Sequence, residues 1–191
     1  NKETQAAYDS LIIIQSTKPS IAVQEAIFAY GKKLGKTEND VKGDVYQLAI
    51  SNSKEALPFS IDSFDSEQKV TLDDLKGKVT LLTFWYPACG PCRGEMPHFE
   101  NAIKGIDRNK FQYLGVNIYR EQDHLVQPFI ENTGFTFKPL GASKEIKKDY
   151  KVYAAPTNII VDQEGRIVYS DFMVDSDNEQ MLTLMLESLI K

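Results

Sequence analysis

The chain has 191 residues, 42% hydrophobic and 26% charged, with 22 basic and 27 acidic side chains and a net charge of −5. That composition excludes disorder, collagen and coiled coil, and the absence of any dense basic stripe argues against nucleic acid as the main partner. No stretch reaches the roughly 20 apolar residues of a membrane span, and two cysteines, Cys89 and Cys92, are too few for a disulfide-stapled scaffold.

The length suits one domain, or one domain with an appendage. The start, Asn1-Lys2-Glu3-Thr4, has no signal-peptide core and opens like a processed or trimmed end, compatible with removal of a targeting segment. Residues 1–53 read as a helical extension and are electrically neutral, six basic against six acidic, so the whole acidic excess lies in residues 54–191. Ala7, Tyr8, Leu11, Ile12 and Ile14 are spaced for a first helix over Thr4 to Gln15. Ser20 reads as the N-cap of a second helix that stops at Gly35. Thr37-Glu38-Asn39-Asp40 resembles a capping box for a third, with Asp40 in place of the usual Glu or Gln and Val41, Val45, Leu48 and Ala49 as its apolar stripe. This extension is either a structural layer on the main domain or a surface for docking a partner; it holds no Cys or His.

The polar run Ser51 to Glu55 marks a boundary, and the pattern then changes. Short strands are expected at Pro58 to Ile61 and Val70 to Leu72. A buried strand is expected at Val79 to Trp85, a loop at Pro87 to Pro91 and a helix over Arg93 to Ile106. Phe111 to Ile118 reads as a strand, Asp123 to Asn132 and Lys144 to Tyr150 as helices around a short strand at Phe135 to Leu140. Asn158 to Val161 and Arg166 to Tyr169 form a hairpin around Asp162-Gln163-Glu164-Gly165, and Asn178 to Ile190 is a closing amphipathic helix. Strands alternating with helices and ending in a hairpin imply an α/β fold, a mixed central sheet with helices on both faces.

Cys89-Gly90-Pro91-Cys92 follows a buried strand and opens a helix. Amide N–H groups and the dipole at a helix N-terminus favour a thiolate there, and the thiolate is the nucleophile. Cys89 is expected to be the exposed attacking sulfur and Cys92 the buried thiol whose later attack resolves a mixed disulfide. Pro91 loses nothing at a first turn, where its N–H would be unpaired. A zinc site would need two more ligands, and only His98 and His124 are on offer. Covalent haem would need His directly after Cys92, where Arg93 stands.

Trp85-Tyr86-Pro87-Ala88-Cys89-Gly90-Pro91-Cys92-Arg93-Gly94-Glu95-Met96-Pro97 resembles the active-site block of thioredoxin-like proteins, most closely the TlpA/ResA-like extracytoplasmic thiol-disulfide oxidoreductases. Ala155-Pro156-Thr157, with the strand and hairpin after it, matches their second motif, so the resemblance covers roughly residues 55–191. It implies a thioredoxin-like domain at 54–191 with a central strand–helix insertion, outside which the extension 1–53 falls. It implies Cys89 as nucleophile, Cys92 as resolving thiol, and Glu95 as a carboxyl that takes and returns the Cys92 proton. Thr83 stands where thioredoxins proper carry a buried Asp. Pro156 matches a cis-proline facing the disulfide, which leaves the Ala155 backbone to pair with an extended substrate strand. Trp85, Gly90, Pro91, Ala155, Pro156 and Thr157 are thus the implied substrate-binding residues. The insertion, from Phe129 to Phe137 and Ala142 to Val152, would form a substrate-facing wall.

The function so implied is reduction of protein disulfides, with no cofactor or metal beyond the Cys89–Cys92 couple. Gly90-Pro91 is the dipeptide of reducing thioredoxins. Further implications are a disulfide-containing protein substrate, a membrane thiol donor, and an extracytoplasmic, periplasmic location, lipid-anchored forms of the precursor included. Two other readings stand beside it. One is a metal-carrying or redox-sensing binding protein that docks through its extension. The other is a thiol peroxidase, whose pattern of Pro, Thr four on and Cys three further meets Pro91 and Gly94 here when counted from Pro87.

Overall fold

The alternation of apolar side chains along β4 (Val79–Trp85) organises the molecule. In the computed structural model, which describes residues 2–190, all seven of its residues are buried. Val79, Leu81 and Trp85 face one apolar cluster while Leu82 and Phe84 face another on the opposite side of the sheet. A strand buried on both faces needs cover on both, and helices supply it.

Before the sheet come α1 (Lys2–Thr17), α2 (Ile21–Lys33) and α3 (Glu38–Ser51). The expected caps are present. The Ser20 hydroxyl accepts from the Val23 N–H at 3.3 Å, and Thr37 and Asp40 form a reciprocal capping box, the shorter acid reaching back to the Thr37 N–H at 2.8 Å. Gly35 adopts φ +78°, a left-handed stop. Ile14 departs from its expected place in the buried stripe and is 46% exposed, because the inward row of α1 runs Tyr8, Ile12 and Gln15 at helical spacing. Tyr8, Ile12, Ile27, Val41 and Val45 form a cluster of their own, and Tyr46 and Ile50 of α3 pack against the main core.

The sheet has eight strands in the order β1-β8-β7-β4-β5-β6-β2-β3. Its centre is parallel, β4 beside β5 (Phe111–Asn117) beside β6 (Lys138–Gly141). Both flanks are antiparallel. On one side lie β7 (Thr157–Val161), β8 (Arg166–Ser170) and β1 (Lys54–Glu55); on the other, β2 (Ser60–Ser63) and β3 (Lys69–Thr71). The hairpin turn forms as expected, with Gly165 at φ +88° and the buried Asp162 accepting from the Glu164 and Arg166 amides. Two strands differ from expectation. The boundary run contributes β1, held only by its pairing with β8, and β6 begins at Lys138 rather than Phe135.

Helices α4 (Gly90–Ile103) and α7 (Glu179–Leu189) cover one face and α6 (Lys144–Asp149) the other. Val126 of α5 (Asp123–Thr133) joins the α4 side, where Trp85 packs against Phe129 and Phe137 at ring separations of 4.9 and 5.1 Å. Among the described residues, no helix is long and apolar enough to cross a membrane.

Candidate active site

Strand β4 ends at Trp85, and the chain turns sharply before α4. The Cys89 N–H donates to the Tyr86 carbonyl at 2.9 Å, and the Ala88 N–H to Oε1 of Gln122 at 3.0 Å. Cys89 is the N-cap of α4, which therefore starts at Gly90, inside the motif, rather than at Arg93. Its Sγ accepts from the Cys92 N–H at 3.2 Å, one of the orphan donors of a helix start. Pro91, in the first turn, has no N–H to leave unpaired.

Cys89 and Cys92 are joined in a disulfide with their Cα atoms 5.3 Å apart. The expectation of an exposed Cys89 fails: both cysteines are 1% exposed. As N-cap, Cys89 turns its sulfur inward to the Cys92 amide and Sγ. There it joins the cluster of Trp85 and Met96, against which Tyr86 and Ala155 also pack.

The Ala155–Pro156 peptide is cis, as the motif implies. Ala155 and Pro156 are half-buried, and the Thr157 hydroxyl donates to the Ala154 carbonyl at 2.8 Å, closing the turn that leads into β7. Ala155 enters none of the backbone hydrogen bonds of turns and loops. Gly90 and Pro91 are exposed at the tip of α4, whereas Trp85 is wholly buried in the same apolar cluster as both cysteines.

Glu95 lies one turn beyond Cys92 on α4 and is 3% exposed. Its Oε1 accepts from the Val174 N–H at 2.8 Å and its Oε2 from Nδ2 of Asn158 at 3.0 Å. Burial raises its pKa above the ordinary carboxylate value. The two hydrogen bonds oppose that shift without cancelling it, and the nearby Asp175 adds to it. The remaining Asn158 amide proton goes to the Phe172 carbonyl at 3.0 Å. One carboxamide thus ties α4, β7 and the segment after β8 together around a buried carboxyl.

Sequence reasoning missed Asn158, Val174 and Gln122 as members of the site. Asn158 had a readable signal, a lone amide opening the apolar run Ile159-Ile160-Val161, because a buried amide needs partners. Val174 and Gln122 contribute through tertiary placement and had none. Helix α5 reaches the motif, with the Arg93 guanidinium 5.9 Å above the Phe129 ring. His98 does not; it contacts Glu179 at 2.9 Å and joins α4 to α7. Among the described residues, no three His, Cys, Asp or Glu side chains converge as metal ligands would.

This geometry has relatives. The AhpC/TSA family pattern matches residues 53–170. The thioredoxin-like protein YneN of Bacillus subtilis is 34% identical over 142 residues, 72% of this chain and 82% of that protein. The thiol-disulfide oxidoreductase ResA of the same species is 29% identical over 121 residues, 63% of this chain and 66% of ResA. In fold, the thioredoxin domain of a thiol-disulfide oxidoreductase from Bacteroides vulgatus superposes with a TM-score of 0.62 at 23% identity, over 72% of this chain and 96% of that domain. The chain belongs to the AhpC/TSA family, among its thioredoxin-like thiol-disulfide oxidoreductases.

Proposed function

We propose that this oxidoreductase works as a reductase of protein disulfides. The observation that carries the reading is the Cys89–Cys92 disulfide at the start of α4, with a buried Glu95 one turn further on. In the reduced protein the Cys92 amide and the helix start favour a thiolate on Cys89. That thiolate attacks one sulfur of a substrate disulfide, forming a Cys89–substrate disulfide and releasing one substrate thiolate. Cys92 passes its proton to Glu95 and attacks Cys89 Sγ, forming the Cys89–Cys92 disulfide and releasing the second substrate thiolate. Two electrons pass to the substrate, and a dithiol donor must return them.

The raised pKa of Glu95 supports its role, because a carboxyl whose pKa burial lifts takes up a proton more readily than an ordinary exposed one. Ala155, outside the loop hydrogen bonds and next to cis-Pro156, offers its backbone to an extended substrate strand, flanked by Thr157 and by the exposed Gly90 and Pro91. Trp85 supports the disulfide from the apolar cluster it shares with both cysteines. Residues 54–191 act as the redox domain and 1–53 as an added helical layer with its own apolar cluster. The reading extends to an extracytoplasmic, periplasmic setting with a membrane-held thiol donor. The series Pro87, Pro91, Gly94 lacks the Thr and Cys of a peroxidase.

Two measurements test this. A Cys92→Ser variant should accumulate a mixed disulfide through Cys89, and Cys89→Ser should not. The Cys89/Cys92 potential, equilibrated against glutathione, should lie near the reducing thioredoxins at about −270 mV, and a value near or above about −150 mV would make the protein an oxidant.

A further inference from the structure

A groove of about 670 Å³ opens at the turn that carries Ala155. It starts at Tyr86 and Ala155, both packed on the cluster that holds the cysteines, and runs outward between the loop after β5 and helix α6. It is therefore continuous with the place where a substrate strand would pair.

Part of its lining comes from a basic stretch of the domain, residues 138–151, of which Lys144 and Lys147 reach the groove. Lys138, Lys144, Lys147, Lys148 and Lys151 stand against only Glu145 and Asp149 within residues 138–151, while the remainder of 54–191 carries 11 basic and 19 acidic residues. Lys144 and Lys147 line the groove, and neither makes an ion pair among the described residues. Lys147 Nζ is steadied by the Ile118 carbonyl at 3.2 Å, which leaves further protons to donate. Arg120, also on the lining, is engaged by Asp123 at 2.8 Å and Asp62 at 3.4 Å. Glu145, beside Lys144 on α6, is held below its ordinary pKa first by hydrogen bonds from its own backbone amide and from Ser143 and last by the Lys144 charge, and Glu121 is the one carboxylate on the lining. Tyr153, 88% exposed, and Tyr119, 50% exposed, add flat apolar surface at the rim.

We propose that this lysine wall selects disulfide substrates whose cysteine is flanked by acidic residues, the extended segment pairing at Ala155 and laying its carboxylates along Lys144 and Lys147. Rim charges act mainly by steering and by rejecting like-charged partners. The proposal rests on the disulfide-exchange reading, and the test keeps the two apart.

The whole protein, reduced, is mixed with two disulfide peptides of equal length that differ only in Asp/Glu or Lys residues around the cysteine, and with hydroxyethyl disulfide as a neutral substrate. The acidic peptide should be reduced about ten-fold faster than the basic one at low salt, with the preference fading as salt rises from about 20 to about 300 mM. In Lys144→Glu/Lys147→Glu the ratio should fall to about one or below, and the salt series on the unmutated protein serves if that variant folds poorly. Equal rates for the two peptides in the wild type, or a preference unmoved by salt and by the double variant, would overturn the proposal. Binding to phosphatidylglycerol vesicles that the double variant loses, with equal peptide rates, would assign the lysines to a lipid surface and overturn it too. Failure to reduce all three substrates would overturn the exchange reading, and this proposal with it.

Discussion

The two faces of the central sheet are built from alternate residues of the same strands, yet they solve different problems. The α6 face sets Leu82 and Phe84 of β4, Leu114 and Val116 of β5, and Ile159 and Val161 of β7 into one apolar cluster. Its buried hydroxyl, Thr80, accepts a hydrogen bond from Gln112 at 2.9 Å. The α4 face carries the disulfide, Glu95 and Asn158. On it also lie, among the described residues, four buried polar atoms that no hydrogen bond of good geometry satisfies: Thr83 Oγ1, Trp85 Nε1, Tyr113 OH and Asn158 Oδ1. Native interiors leave few such groups unpaired, and a cluster of them beside a reactive site is where local stability has been given up. One face is organised for packing and the other for chemistry.

The contrast is sharpest if each face is cut in turn. Leu82→Ala, on the packing face, should cost about 2–5 kcal/mol in urea unfolding, because Leu82 is wholly buried, while the exchange rate per folded molecule holds. A variant that lost activity in the same proportion as stability would mean that the faces are not separable. Asn158→Ala, on the other face, should cost about 1–3 kcal/mol, since the Phe172 carbonyl and one Glu95 oxygen lose their donor. It should also push the Glu95 pKa further up and move the exchange pH profile to higher pH, an effect that Leu82→Ala should not produce. Stopped-flow exchange across pH, beside urea titrations of both variants, checks the pair.

How much of this was legible in the sequence follows the same division. The packing face was readable because Val79 to Trp85 and Phe111 to Ile118 are long, near-continuous apolar runs, and such runs predict strands buried on both sides. Two-residue β1 was not readable. Lys54 and Glu55 are exposed, and their strand character exists only through pairing with β8. At the site, the C-x-x-C motif and Glu95 could be named from the local pattern and the family resemblance. The depth of Cys89 could not, because it depends on the N-cap turning its sulfur inward and on the tertiary packing of Tyr86 and Ala155 against the cluster that holds it. Asn158 lay in plain view, but its partners come from α4 and from beyond β8, 63 and 14 residues away.

A smaller change probes the unpaired atoms. Thr83→Val exchanges a buried hydroxyl that no hydrogen bond of good geometry holds for a methyl of similar shape, and should raise stability by about 1 kcal/mol. A loss of similar size would mean that the hydroxyl is paired in solution, and thermal or urea unfolding decides between the two.

The smallest effect belongs to Glu95 itself, and its sign separates the two faces. Burial holds the folded Glu95 pKa above the ordinary value, while the unfolded chain ionises at about 4.3. Between those two values the folded protein retains a proton that the unfolded chain has released. Wild-type stability therefore falls as pH rises through that window and stays lower above it. Glutamine does not titrate, so the wild-type curve should drop relative to that of Glu95→Gln as pH rises above about 4.3. Asp40, Asp74 and Glu179, whose pKa values are lowered by hydrogen bonds from Thr37, Thr71 and His98, are common to both proteins and cancel in the difference. Urea midpoints measured across pH 4 to 8 for the pair give that difference directly. Parallel curves would mean that Glu95 ionises alike folded and unfolded, and the α4 face would then hold no tuned acid to set it apart from the face that only packs.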